Sequence, residues 1–247
     1  MDRGLDFSGH VVLVTGGAKG IGRVIAERFT TAGATVVVCG RNDPGDANFV
    51  TCDVRDAEQV DALVGHISAE HGRLDVVVNN AGGSPAADAA SASPRFSESI
   101  VKLNLLAPLY VAQAANRVMQ QQADGGSIVN IASVSGIRPS PTTAAYGAAK
   151  AGLLNLTQTL AVEWAPKVRV NAVTAGLIRT EQAHLHYGDD AGIARVGATV
   201  PLGRMGEPDD IASACLFLAS PLAAYVSGAN LVVHGGGERP AYLGAVR

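Results

Sequence analysis

Aromatic residues are scarce in this chain of 247 amino acids: they make up 4% and include a single tryptophan. The core therefore has to be built from aliphatic side chains and alanine, which a hydrophobic content of 47% can supply. Charge of one sign is also lacking. A formal net charge of −3 gives no electrostatic case for nucleic acid or for an acidic membrane surface. There are three cysteines, Cys39, Cys52 and Cys215. An odd number with no Cys-x-x-Cys spacing reads as buried thiols in a reducing compartment. No stretch approaches the length of about eighteen apolar residues needed to cross a membrane, and residues 1–10 are polar without a signal-peptide apolar core. A soluble cytoplasmic protein is expected.

Glycine is plentiful instead, at 29 residues, too many for a plain helical bundle. Short β-branched runs at 11–15, 35–39, 49–52, 74–79, 127–131, 169–173 and 230–233 are apolar on both faces, as strands of a buried parallel sheet are. Helical patterns fall between them at 21–32, 57–71, 97–122, 144–165 and 209–218. This alternation predicts a single α/β domain: a Rossmann-type doubly wound sheet of about seven parallel strands with helices on both faces. The second and third strands are separated only by 42–48, too short for a crossover helix, and Asp43-Pro44-Gly45 reads as a turn there. Residues 83–94 read as a loop.

Two groups of residues carry chemistry. Thr15-Gly-Gly-Ala-Lys-Gly-Ile-Gly22 follows the first strand and opens the first helix. Gly16, Gly20 and Gly22 let the backbone turn sharply and let a pyrophosphate approach free N–H groups at the helix start. The spacing is Gly-x-x-x-Gly-x-Gly, and a glycine-rich turn with no ligand is the plainer alternative. At the end of the second strand Gly40 stands where an acid would take the ribose hydroxyls of NAD, and Arg41 follows. Arg41, with Lys19 in the glycine loop, suits a 2′-phosphate, so NADP(H) is favoured over NAD(H). A solvated loop charge at Arg41 is the alternative.

Tyr146 and Lys150 are four residues apart, and Ser133 stands thirteen before the tyrosine. On a helix the i,i+4 spacing puts phenol and ammonium on one face, where the cation would lower the phenol's pKa. The bare pair is a weak signal. His184 and His186 with Asp189 and Asp190 could suggest a metal, but His-x-His in a loop reads more simply as a solvated lid, and no metal is expected.

The glycine loop, Asn79-Asn-Ala-Gly82, Asn104, Ser133 and Tyr146/Lys150 occur together and in order. With them the chain resembles the short-chain dehydrogenase/reductase family over about 10–237, most like its 3-oxoacyl-carrier-protein reductase-like members. Arg169-Val-Asn-Ala-Val-Thr-Ala-Gly176 and Ser227-Gly-Ala…Gly235-Gly236 match later landmarks.

The resemblance implies that Tyr146 is the general acid in reduction and the base in oxidation. Lys150 would depress its pKa and bond the nicotinamide ribose, Ser133 would hold the substrate oxygen, and Asn104 would hold a relay water. Gly16, Lys19, Gly20, Ile21 and Gly22 would meet the phosphates, and Asp53 with Val54 the adenine. Asn80, Ala81 and Gly82 would lie along the adenosine ribose, and Ile178 and Thr180 at the nicotinamide amide and diphosphate.

The resemblance also implies a small carbonyl or alcohol substrate and a homotetramer or homodimer built through the two long helices. Ala175 replaces the family's usual proline and His234 its usual aspartate. Substrate choice should lie in 83–96 and about 181–206, with a tail at 238–247 near a subunit interface or over the cleft. A catalytically silent dinucleotide-binding protein and an NAD-linked dehydrogenase are the rival readings.

Overall fold

A computed structural model of the protein describes residues 3–43, 45 and 48–245. Seven strands, β1 (Val11–Thr15), β2 (Thr35–Gly40), β3 (Phe49–Thr51), β4 (Val76–Asn79), β5 (Gly126–Ser133), β6 (Val168–Ala175) and β7 (Asn230–Val233), form one sheet. Its order is β3-β2-β1-β4-β5-β6-β7, and every neighbouring pair is parallel. The expected doubly wound sheet is therefore present.

The helices are α1 (Gly20–Thr31), α2 (Ala57–His71), α3 (Pro94–Val101), α4 (Ala107–Met119), α5 (Ala144–Glu163), α6 (His184–Tyr187), α7 (Asp190–Thr199) and α8 (Pro208–Ala219). Alternate residues of each strand face opposite layers, which is why the strands read as continuously apolar. Val11 and Leu13 of β1 join a core with α2, α4 and α5, whereas Val12 and Val14 join one with α1 and α8. All three cysteines are free and buried. Among the described residues no helix is long and apolar enough to cross a membrane.

The structure departs from the expected helix over 97–122. That helix begins earlier, at Pro94, behind Ser93, whose hydroxyl accepts from the Phe96 N–H at 3.2 Å. It then widens into a π-helical segment, Lys102–Leu106, before α4. Pro108 explains the widening: it has no N–H, and its ring would crowd the carbonyl four residues back, on Asn104. The side chain of Asn104, on this segment, bonds the Gly83 backbone from behind the cleft.

No helix lies between β2 and β3 among the described residues. The Gly45 N–H donates to the Asp43 carboxylate at 2.7 Å, as a turn requires; Pro44, Asp46 and Ala47 lie outside the described residues. At the amino ends of the strands polar groups close the sheet. Buried Asp75 accepts from the Val11 N–H and from Arg73 Nε, each at 2.8 Å. The carboxyl ends stay open.

Candidate active site

The opening is a cleft of about 730 Å³ over the carboxyl ends of β1, β2, β4, β5 and β6. It lies where β1 and β4 are neighbours and the chain turns to opposite sides of the sheet, the topological switch point of such folds.

β1 ends at Thr15, whose hydroxyl accepts from the N–H groups of Asn80 and Ala81, both at 3.0 Å. In return the Asn80 amide donates to the carbonyls of Thr15 at 2.9 Å and Gly16 at 3.1 Å. The glycine loop and the 80–82 turn are thus one locked unit. Its tightness requires Gly22: a Cβ there would stand 2.3 Å from Asn80 Nδ2 and 2.4 Å from the Gly16 carbonyl oxygen. Gly16, Lys19, Gly20, Ile21 and Gly22 all line the cleft. Gly20 has φ +57° and starts α1, so free N–H groups point outward where a phosphate fits. One of them is taken by the protein itself. Glu181 Oε1 accepts from the Gly20 N–H at 2.8 Å. No local pattern could have revealed a pairing between residues so far apart.

At the other end Gly40, Arg41, Asp53 and Val54 line the cleft as expected. Arg55, which sequence reasoning missed, lines it too and grips Asp53 through Nε at 2.9 and 3.1 Å. Arg55 holds the Asp53 carboxyl below the ordinary carboxylate range, with a smaller contribution from the charge of Arg41. This end therefore carries two cations around one committed carboxylate.

The reactive end is built from β5 and α5. Lys150 is 3% exposed, its ammonium donating to the Ile131 carbonyl at 2.7 Å and standing 5.7 Å from the centre of the Tyr146 ring. Burial pushes its pKa down to about 8. Tyr146, half-buried beside it, is hydrogen-bonded to Ser133. Burial raises the phenol's pKa, with the Ser133 hydrogen bond working against the rise and Tyr187 adding to it. The enclosure that brings the ammonium close also disfavours the phenolate.

Asn104 is fully buried. Its carbonyl accepts from the Gly83 N–H at 2.9 Å, while its amide donates to the carbonyls of Gly83 at 2.9 Å and Ile100 at 3.0 Å. Gly82 fits between it and Lys150: a Cβ there would meet Asn104 Oδ1 at 2.7 Å and Lys150 Nζ at 3.2 Å. Asn80, Ala81, Gly82, Ile178 and Thr180 line the same cleft, but Asn104 stands behind its wall. Tyr187, within the 181–206 stretch expected to govern substrate choice, lines the cleft as well.

His184 Nδ1 lies 3.1 Å from the Glu181 carbonyl. The side chain of His186 is outside the described residues. Among the described residues no three His, Cys, Asp or Glu side chains are gathered for a metal ion. Glu238, in the tail, pairs with Arg138 in the loop beyond Ser133.

A phosphate cradle at one end and a hydroxyl pair beside a buried ammonium at the other define an α/β dinucleotide-dependent oxidoreductase. The comparisons with known proteins narrow the class. The enoyl-(acyl carrier protein) reductase family pattern matches residues 16–238. D-threitol dehydrogenase of Mycolicibacterium smegmatis is 37% identical over 92% of each chain. The 3α-hydroxysteroid dehydrogenase of Mediterraneibacter gnavus is also 37% identical, over 91% of this chain and 95% of its own. The ligand-free aldohexose dehydrogenase of Thermoplasma acidophilum superposes with a TM-score of 0.90 at 37% identity, covering 94% of this chain and 95% of that one. The chain belongs to the short-chain dehydrogenase/reductase family and is an oxidoreductase acting on CH–OH/C=O groups.

Two consequences can be measured. Gly22→Ala is expected to cost about 1–3 kcal/mol of stability, because both clashing groups are held by the loop's own hydrogen bonds. Chemical denaturation measures that cost, and dinucleotide titration should show binding lost with it. Lys150 titrates near 8 when folded against 10.5 for the ordinary side chain. Between those values the unfolded chain binds the extra proton, so folding stability rises with pH across that window. Below pH 8 the burial cost is present in full, about 3 kcal/mol. Lys150→Met is therefore expected to gain about 1–3 kcal/mol at pH 7 after losing one hydrogen bond, and less at pH 9.5. Urea denaturation at both pH values checks this.

Proposed function

We propose that this chain is an NADP(H)-dependent reductase or dehydrogenase for a carbonyl or secondary alcohol, with Tyr146 as its general acid and base. The observation that carries the reading is the convergence of Ser133, Tyr146 and Lys150 on the cleft whose far end is the glycine loop. The bound nicotinamide would supply and accept the hydride. Ser133 and Tyr146 hold the substrate oxygen from two donors, and Tyr146 delivers the proton to that oxygen in reduction and removes it in oxidation. A raised phenol pKa keeps the proton in place at neutral pH, which favours reduction.

Lys150 holds the ribose of the nicotinamide half and supplies the charge that stabilises the phenolate. Asn104 fixes the 82–83 turn and offers the spare acceptor capacity of its carbonyl to a relay water behind Lys150. Gly16, Lys19, Gly20, Ile21, Gly22 and Thr180 take the phosphates, and Ile178 the nicotinamide amide. Asp53 and Val54 take the adenine, with Asn80, Ala81 and Gly82 along the ribose.

Support for NADP(H) is the absence of a carboxylate at Gly40 together with the paired cations Arg41 and Arg55. Asp53 does not oppose a 2′-phosphate as a free carboxylate would, because Arg55 already grips it. The whole chain acts as one cytoplasmic domain assembled as a homotetramer or homodimer through α4 and α5, where Val162 is 80% exposed.

Fluorescence titration should show NADPH binding more tightly than NADH. Arg41→Ala should weaken NADPH about tenfold and leave NADH within about twofold. Tighter NADH binding in the parent protein would overturn the cofactor assignment. Tyr146→Phe should lower kcat by at least about 10³-fold with NADPH affinity unchanged. Near-normal turnover in a panel of ketones and sugars would remove Tyr146 from the reaction.

A further inference from the structure

Glu181 lies on the segment that leaves β6. That segment is pinned at its start: Ile178 bridges to Gly206, the Arg179 N–H donates to the Gly206 carbonyl at 2.7 Å, and the Gly206 N–H donates to the Leu177 carbonyl at 2.9 Å. Beyond that clamp Glu181 reaches across the mouth of the cleft to the Gly20 N–H, at 2.8 Å. Gly20 is the first residue of α1, and its N–H, which has no partner within the helix, is among those a phosphate needs. Hydrogen bonds from its own backbone N–H and from Gly20 hold the Glu181 carboxyl below its ordinary range, with help from the charges of Arg23 and Lys19. A carboxylate offers the same chemistry to an N–H as a phosphate oxygen does, and the two cannot share one donor.

We propose that Glu181 is a built-in competitor for the dinucleotide diphosphate: it occupies the Gly20 N–H in the cofactor-free protein and withdraws when the cofactor enters. This rests on the reading of the cleft as a nicotinamide dinucleotide site. The same segment continues through Gln182 to Tyr187, and both line the cleft, Tyr187 close enough to Tyr146 to affect it electrostatically. Displacing Glu181 therefore moves the chain that carries part of the substrate wall. Cofactor entry and adjustment of the substrate end become a single event, and part of the cofactor's binding energy is spent on breaking a contact already made.

The test is the affinity of wild type, Glu181→Gln and Glu181→Ala for NADPH and NADH by fluorescence titration. Glutamine keeps the shape and removes the charge; alanine removes the contact. Both variants are expected to bind both dinucleotides about threefold to tenfold more tightly, since both cofactors carry the same diphosphate. Hydrogen exchange over 177–188 should be faster in cofactor-free Glu181→Gln than in cofactor-free wild type. A purely supporting role for Glu181 predicts the opposite sign, weaker binding in both variants. Wild type that binds NADPH while the variants bind it equally or less tightly overturns the competitor alone. Failure of all three proteins to bind either dinucleotide overturns the cofactor reading and the competitor with it.

Discussion

The constraint on which the rest depends is that β1 is paired on both sides, to β2 and to β4, in parallel register. Parallel pairing sends the chain back over the sheet after each strand, and on the two sides of β1 it returns over opposite faces. The loops that leave β1 and β4 must therefore part at their carboxyl ends. Thr15 and Asn80 hold that parting at a fixed width through four hydrogen bonds. The glycine loop, Ser133, Tyr146 and Lys150 all line the space they leave.

Within that space the two ends follow opposite electrostatic rules. The glycine loop uses backbone N–H groups on the edge of solvent, where positive potential costs little because no side chain has to be buried. The reactive end encloses a full ammonium. Lys150 keeps one carbonyl partner, and its burial is destabilising at neutral pH. Stability is given up to hold a titratable cation beside Tyr146, as functional sites commonly do. Gly82 makes that arrangement possible, because any side chain at that position would separate Asn104 from Lys150.

Much of this was legible in the sequence, for identifiable reasons. Strands buried on both faces carry unbroken β-branched runs, so all seven were visible, and the helical pattern over 57–71 coincides with α2. Cleft-lining residues such as Gly22, Tyr146 and Lys150 stand at spacings fixed by the turn or helix that presents them. The π segment was not legible, since its cause is a clash between Pro108 and a carbonyl rather than any change in hydrophobic period. Arg55 was not legible because only the folded loop turns its side chain onto Asp53 at the cleft. Glu181 was invisible because its partner lies across the cleft, and only the folded chain brings the two together.

The proposed function requires that a single cleft take the dinucleotide in one orientation, with its diphosphate on the glycine loop and its nicotinamide against Tyr146. The most direct measurement is a crystal structure of the NADPH complex. The predicted result has the diphosphate on the N–H groups of the Gly20–Gly22 turn, the 2′-phosphate between Arg41 and Arg55, and nicotinamide C4 facing the Tyr146 hydroxyl. A dinucleotide bound in the reverse orientation, or outside this cleft, would contradict it.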